Sequence, residues 1–597
     1  STHVSLIYCL VSSLIVYKRP GYSSIYTKQF RELVVVIYQF DATVMTATKL
    51  SRSLSSSSNV TTPLLKKDDY TITIVPSNSS SEANEIGDNP FLDPKVEEYY
   101  REVYQTSNYE CYPAFDPQFE WTKEEEQNVV RKLNYRVALA ACLLFVGLQI
   151  DRGNLQQAIS DNMLNDLALT TNEYNLGNTL FYSCFLLAEV PSQLISKSLG
   201  PDIFIPIQMC AWSVVAISQA ALSGKVSFYL TRALIGMLEG GFIADLVLWL
   251  SYFFTSKELP IRLSWFWTTL AVVQIGSSLL ACGILKMRGL AGLEGWRWLF
   301  LIEGVITFFI GLSAFYLMVP SAVETRNWMH PKGWFSDREE KIVVNRILRD
   351  DPTKGSMNNR QALGIKELGA SLMDYNLWPI FAIGFIAHIG KSTMGTYFTL
   401  MNKELGFSTF ETNLLAIPPS ILHISFLLGI TWLSERANER SFVSLVAPLY
   451  AVPLIAIIRW WHGSGKQVWA TWMLSTLFLG QPYIHAICVA WVSRNSNSVG
   501  SRSICSALYN MFVQMGAIIA LNIYREDDFP LYKKGNTILF LIELLLIPLL
   551  LFTKCFYIWK NNQKGKLWNK MTEEEREYYR KHSTDRGNER LDFVFEH

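Results

Sequence analysis

Charge is scarce in this chain. Only 18% of its 597 residues are Asp, Glu, Lys or Arg, below the share usual for a soluble protein. The 53 basic and 52 acidic residues nearly cancel, leaving a formal net charge of +1, which argues against bulk nucleic-acid binding. No Walker motif, no GxGxxG behind a strand and no nucleophile elbow occurs, so the sequence offers no machinery for ATP hydrolysis or nucleophilic catalysis. An enzyme reading has almost no support. The nine cysteines are scattered, without CxxC or framework spacing, and several sit in apolar runs where a thiol acts as a small hydrophobe. Neither a metal site nor a cofactor is expected.

What is present is hydrophobic length. Half of the residues are apolar and 13% are aromatic, and a polar N-terminal region holds the mean hydropathy down to +0.16. Twelve stretches are long and apolar enough to cross a bilayer, near 136–152, 174–197, 203–222, 227–251, 262–285, 298–319, 377–400, 412–433, 441–461, 468–492, 501–523 and 537–558. The expected fold is therefore an all-α membrane protein, with residues 121–319 and 377–558 forming two six-helix bundles. A polar linker, 320–376, separates them, the arrangement of a rocker-type secondary transporter built from repeats. An even number of spans puts both ends on one side. Lys and Arg in the linker, in the stretch before the first span and in the tail 559–597 place that side in the cytosol. The plasma membrane is the expected location, and a monomer the expected state.

Before the first span the text is polar. Residues 1–44 lack an initial Met and carry an apolar run, Val4 to Tyr17, without the basic start of a signal peptide. Met45 reads as the true start, and 1–44 as a gene-model extension. Residues 45–120, rich in Ser, Asn, Asp and Glu, are expected to be a disordered cytosolic tail. Trp121-Thr-Lys-Glu-Glu-Glu then opens a charged amphipathic helix with Thr122 as N-cap.

Polar residues inside apolar spans mark the candidate sites, because burying them in a membrane is costly. His388 and Lys391 stand near the middle of 377–400, three residues apart and on one helical face. Lys391 attracts an anion, and His388 takes up a proton near physiological pH. The plainer alternative is a snorkelling lysine and a histidine bonded to a neighbouring helix. Gln481, Tyr483 and His485 gather in the tenth span beside Pro482, which loosens the helix there. They either donate hydrogen bonds to a ligand or satisfy the opened backbone. Arg232 and Glu239 lie two turns apart on one face of the fourth span, among Gly236, Gly240 and Gly241. Structural ion pairs are at least as good a reading for them as a role in transport. Glu189 and Glu303 read as structural, His423 as a satisfied core histidine, and Asp151-Arg152 as an interfacial pair closing the first span. The loop Ser434 to Arg440, with Glu435, Arg436, Glu439 and Arg440, is either an ion-pair lock or a solvated loop.

The chain resembles the fungal allantoate permease family of the major facilitator superfamily, which carries anions with protons. The matching stretches are Trp121-Thr-Lys-Glu-Glu-Glu, Asp151-Arg-Gly-Asn154, Glu189-Val-Pro-Ser192, Arg232-x3-Gly236-x2-Glu239-x-Gly241 and Gly295-Trp-Arg-Trp-Leu-Phe-Leu-Ile-Glu303-Gly304. In the second half they are Asn495, Arg502, Tyr509-Asn510 and Pro530-x-Tyr532-x2-Gly535. Ala244-Asp245 and Asp202 depart from the family pattern and point to a distinct branch. The resemblance implies a twelve-helix major facilitator fold whose first, fourth, seventh and tenth spans line a cavity. Gln149, Glu239, His388, Lys391, Tyr483 and His485 would then lie near one another. In that frame Lys391, Gln149, Tyr483 and His485 bind substrate, His388 and Glu239 couple protons, and Arg232, Glu189, Arg436 and Arg440 are structural or gating. The mid-span His and Lys look most like the branch that takes up sulfur compounds, sulfonates or sulfate-like oxyanions. A vitamin, ureide or small peptide as cargo, or a non-transporting nutrient receptor, are the alternative readings.

Overall fold

The computed structural model describes residues 89–106, 109–255, 258–326, 331, 333–355, 369, 371–496, 499–582 and 587–597. The expectations for 1–44 and for 45–88 lie outside the described residues. Among the described residues every regular element is a helix. From residue 89 onward the expected disordered tail is folded instead. Helix α1, Pro94–Thr106, packs Tyr104 into the core, and the Tyr104 hydroxyl donates to Pro352 O at 2.7 Å. The sequence read as disordered because its aromatic residues (Phe91, Tyr99, Tyr100, Tyr104, Phe115) are diluted by charge. They assemble as ring pairs, such as Phe91–Phe115 and Tyr104–Phe115, each with centroids 5.1 Å apart.

Helix α2, Lys123–Leu133, starts with the expected capping box, Thr122 and Glu125 exchanging hydrogen bonds with each other's backbone. It runs through a π-type turn, Asn134–Ala138, into α3, Leu139–Ala158. The first half continues with α4 (Thr171–Leu199), α5 (Pro201–Ser218), α6 (Lys225–Glu239), α7 (Phe242–Ser251), α8 (Leu259–Ile284) and α9 (Gly295–Leu317). Between the halves lies α10, Asp337–Asp350, capped by Ser336 and Glu339. The second half holds α11 (Trp378–Ala387), α12 (Ile389–Glu404), α13 (Ile417–Ala437), α14 (Val446–Trp460), α15 (Val468–Leu479), α16 (His485–Asn495), α17 (Val499–Ala520) and α18 (Lys533–Trp568), followed by α19 (Glu573–His582).

Eight helical segments among the described residues are long and apolar enough to cross a membrane, and each falls on one of the twelve expected stretches. The other four stretches fall on α4, α11–α12, α15–α16 and α17. Two of these are interrupted. Span seven breaks at His388, which joins α11 to α12, and span ten opens from Gly480 to Ile484 around Pro482. Span four also breaks, after Glu239, where Gly241 adopts φ +80°. Interrupted helices in a membrane protein are tolerated where they are buried in protein or line a cavity, and these three carry Glu239, His388, Lys391, Gln481, Tyr483 and His485 at or near their breaks.

Glycines set how closely helices approach. A Cβ on Gly236 would sit 2.1 Å from Phe181 O, and one on Gly516 2.1 Å from Phe385 O. Helices α6 and α4, like α17 and α11, therefore touch backbone to backbone.

The ends of the two halves behave differently. At the end bearing the loops 159–170, 405–408 and 521–532, one apolar core contains Leu155, Ile159 and Tyr174 of the first half together with Tyr397, Phe398 and Tyr524 of the second. Hydrogen bonds join the halves there: Asn175 Nδ2 to Tyr524 O (2.8 Å), Thr171 N to Glu526 Oε2 (2.7 Å), Asn413 Nδ2 to Ser160 Oγ (2.9 Å) and Lys403 Nζ to Ser160 O (2.9 Å). At the opposite end, where α2, α10 and residues 587–597 gather, the two apolar cores each belong to one half. Among the described residues the halves are joined at one end, while at the other each keeps its own core.

Candidate functional site

The break in span seven and the break in span ten face each other. The His388 ring lies 4.7 Å from the Tyr483 ring and 5.5 Å from the His485 ring, centroid to centroid. Lys391 Nζ sits 4.7 Å over the Tyr483 ring and 2.6 Å from His423 Nδ1. His423 and Tyr483 rings are 4.9 Å apart, and His485 extends the cluster to Tyr509 (5.4 Å) and Trp267 (6.3 Å). Four of the expected residues, His388, Lys391, Tyr483 and His485, are thus brought into one site. His388 is only 8% exposed and its Nε2 has no partner. A cavity beside them, with room for little more than a water-sized group, is lined by His388, Lys391, Gln481, Tyr483, Glu543 and Leu546, among others.

The chemistry of this constellation is that of a cation looking for an anion. No carboxylate lies within ion-pair distance of Lys391 among the described residues; its partners are an imidazole and an aromatic face. Neutral donors and acceptors around a single ammonium can orient an anion without cancelling the charge that attracts it. His423 was the residue the sequence undervalued. It is a buried histidine satisfied by a partner, but that partner is Lys391. Glu543, on α18, drew no attention either. A lone carboxylate in the middle of an apolar span was its signal.

Glu239 stands in a different cluster. Its Oε2 accepts from Arg152 Nε at 2.7 Å, with no part of the Glu239 side chain exposed. Arg152 also lies over Phe185, 4.9 Å from the ring centroid. Asp151 and Arg152 are therefore not an interfacial pair at the end of the first span. They sit within α3, Asp151 is 1% exposed, and Trp212 Nε1 donates to its Oδ2 at 3.0 Å. The misreading came from ending the span at the first charges, whereas the helix continues to Ala158 because these charges find partners in the bundle. Arg232 does not pair with Glu239. Its Nη2 donates to Asn178 Oδ1 (3.3 Å) and its guanidinium covers Phe181 (4.4 Å), which is a structural placement. Gln149 is half-buried on α3 and makes no hydrogen bond with the His–Lys–Tyr cluster among the described residues. Glu189 is half-buried on α4, and Glu303 is fully buried on α9.

The charged loop after α13 is built rather than solvated. Arg440, 1% exposed, pairs with Glu435 (2.8 Å) and Glu596 (3.2 Å), and Arg494 pairs with Glu596 (2.8 Å) and Glu435 (3.2 Å). Lys554 pairs with Glu439 at 2.6 Å. The second arm comes from the C-terminal segment, where Glu596 O accepts from Trp491 Nε1 and Asn495 Nδ2. All of these groups lie in the second half, so the network braces that half internally. Arg436 takes no part in it and stacks, exposed, on Trp432 at 5.3 Å.

Residues 140–521 match the family model described as Major Facilitator Superfamily. An uncharacterized transporter of Saccharomyces cerevisiae is 44% identical over 520 residues, 87% of this chain and 96% of its own. The "Putative tartrate transporter" of Agrobacterium vitis is 25% identical, over 56% of this chain and 71% of its own. Among solved structures, a bacterial homologue of the human lysosomal transporter Spinster, inward-facing and unoccupied, aligns with a TM-score of 0.52 at 14% identity. The alignment covers 73% of this chain and 97% of that one. At that identity the likeness speaks for the fold alone. With all-helical architecture, membrane-spanning helices and a family match over well more than half of its length, this chain belongs to the Major Facilitator Superfamily as a multi-pass membrane transporter.

Proposed function

We propose that the protein is a proton-coupled symporter importing a small anion across the plasma membrane, with both termini in the cytosol. The observation that carries this reading is Lys391: a half-buried ammonium at the break between two facing helices, in contact with His423 and over the Tyr483 ring, with no carboxylate paired to it among the described residues. Burial of such a charge is costly, and an incoming anion supplies the missing counter-charge. Lys391 anchors the anion, while Tyr483, His485 and His388 surround it with aromatic edges and hydrogen-bonding nitrogens. Coupling to protons is assigned to this cavity, which His388 lines. Glu239, closed into its pair with Arg152, acts as a structural counter-ion in this reading. Gln149 serves as a more distant contact that reaches the site only if α3 shifts.

A sulfonate or sulfate-like oxyanion is the preferred cargo, because a compact, strongly acidic anion suits an ammonium that binds as a point charge. The likeness to a protein named as a tartrate transporter favours a second reading, a carboxylate held on the same lysine. Uptake of radiolabelled sulfate, a sulfonate and tartrate, at acid and neutral pH in cells lacking endogenous carriers, tests both. Expected is uptake that rises at acid pH and falls to background in Lys391→Ala at matched surface expression. Uptake indifferent to Lys391 overturns the site. Failure of sulfate and the sulfonate with success of tartrate replaces the sulfur reading with the carboxylate one.

A further inference from the structure

Glu543 lies on the wall of the same cavity, on α18, and neither the sequence motifs nor the family likeness assigns it a role. It is 3% exposed and no Lys or Arg pairs with it among the described residues. Gln481, at the break in span ten, is within hydrogen-bonding reach of its carboxyl. Its Oε1 has no partner at all. That oxygen lies against α12, since a Cβ on Gly390 would meet it at 2.4 Å. Two unpartnered polar atoms, Glu543 Oε1 and His388 Nε2, thus belong to side chains lining one small space, with Lys391 on the same wall.

The charge balance of this space is unusual. Its titratable residues are His388 and Lys391 from span seven, His423 beyond Lys391, Tyr483 and His485 from span ten, and Glu543. A carboxylate buried without a cation is several kcal/mol too costly to persist, so in this arrangement Glu543 holds its proton. Lys391 has an imidazole and an aromatic face as partners and no carboxylate paired with it among the described residues, so its charge is held best when an anion or a carboxylate stands beside it. With Lys391 charged and Glu543 neutral, the site is one negative charge short of neutrality, and an anion fills that place.

Resting on the reading of Lys391 as the anion anchor, we propose that Glu543 is the proton site of the transport cycle and the alternating counter-ion of Lys391. With the anion bound, Lys391 supplies the positive charge and the protonated Glu543 carboxyl donates a hydrogen bond. When the anion leaves to the cytosol, the O–H bond of Glu543 breaks, its proton departs to water, and the carboxylate replaces the anion beside Lys391. For a monovalent anion such as a sulfonate the buried site is neutral in both states, so one proton accompanies one anion, and a dianion such as sulfate or tartrate needs a second proton to keep the balance. Return of the empty carrier needs the Glu543–Lys391 pair, because an unpaired ammonium would oppose closure of the halves around it.

Infrared difference spectroscopy of the purified full chain in lipid nanodiscs tests the protonation directly, and transport of the labelled probes tests its use. Expected at acid pH is a protonated-carboxyl C=O band that disappears in Glu543→Gln and shifts, without disappearing, in Glu543→Asp. In wild type the band gives way to a carboxylate band at alkaline pH, and in Lys391→Ala that conversion is lost over the same range. With whichever of sulfate, the sulfonate or tartrate is carried, Glu543→Gln retains exchange of internal for external anion but loses at least tenfold of pH-driven accumulation. A Glu543 that keeps its proton at every pH in the anion-free protein overturns the proposal, because no counter-ion for Lys391 then forms. So does a conversion indifferent to Lys391, or undiminished accumulation in Glu543→Gln. If none of the three probes is carried, the cargo assignment fails while the spectroscopic result still decides the proton site.

Discussion

Arg152 and Glu239 show what a single buried charge costs in this molecule. Glu239 is wholly buried, and Arg152 Nε at 2.7 Å is the ion-pair partner within reach. Removing one member of a buried pair costs about 3–5 kcal/mol, because the other is left uncompensated, whereas removing both is far milder. Arg152→Ala is therefore expected to lower the thermal unfolding midpoint of the detergent-solubilised protein strongly. Arg152→Ala combined with Glu239→Gln recovers most of the loss. A double variant no better than the single would show that the pair is not what Arg152 is for. At this scale the sequence was readable at His388 and Lys391, which stand alone in an apolar span, while the same signal at Glu543 went unused. It was unreadable where meaning depends on a neighbour from another helix. Nothing along 412–433 tells whether His423 faces a lysine or a leucine, and nothing along 136–152 says that Arg152 meets Glu239.

Helix α10 shows how an element outside the membrane is held. Arg346, 3% exposed, donates to Glu258 Oε1 and to Phe253 O, both at 2.9 Å. Arg338 reaches Glu125, and Lys132 reaches Glu339, each at 2.7 Å, tying α10 to α2. The buried guanidinium matters most, since exposed pairs contribute little. Two hydrogen bonds from a charged group are worth about 3 kcal/mol together. Arg346→Ala is expected to speed limited tryptic cleavage between 337 and 350 by roughly 10- to 100-fold, with the rest of the chain unaffected. The pH dependence has a definite sign. Burial pushes the Glu339 carboxyl up, but Lys132 and the Ser336 N–H bring it, on balance, below its ordinary value. A carboxylate lowered by folding stabilises the docked state above the ordinary Glu range, and that contribution fades as pH falls beneath it. Mildly acid medium, the condition that favours proton-driven uptake, is expected to leave α10 docked, and protease sensitivity should rise only below the ordinary carboxylate range. Helices were largely legible from hydrophobic length, capping residues and the polar interval between the halves. Their interruptions were legible only at Pro482. The break at His388 carries no proline or glycine of its own, and it arises from packing against span ten that no single span encodes.

The two ends of the molecule, one sealed by contacts between the halves and one where each half keeps its own core among the described residues, define a conformation with a consequence for the whole cycle. Every hydrogen bond between the halves among the described residues lies at the end of the loops 159–170, 405–408 and 521–532, where the Tyr524 and Tyr532 rings stack and Tyr397 tilts against both. Alternating access requires this seal to open while the other end closes, by rocking one half against the other about the site between them. The contact between Asn522 Nδ2 and Thr179 Oγ1, 3.0 Å long and exposed, sits at the rim of that seal. Replacing both by cysteine and adding a short thiol-specific cross-linker, in a background lacking reactive native cysteines, should join the halves readily in the resting protein. The linked carrier cannot open towards the sealed side, so uptake of the probe anion should fall to background and return when a cleavable linker is cut. Supplying the transported anion at acid pH should lower the cross-linking yield, because it populates the state in which the two positions separate. Efficient cross-linking with uptake intact would mean that this end need not open. The passage would then have to run elsewhere than between the halves, and Lys391 would lose its place as a site reached alternately from both sides.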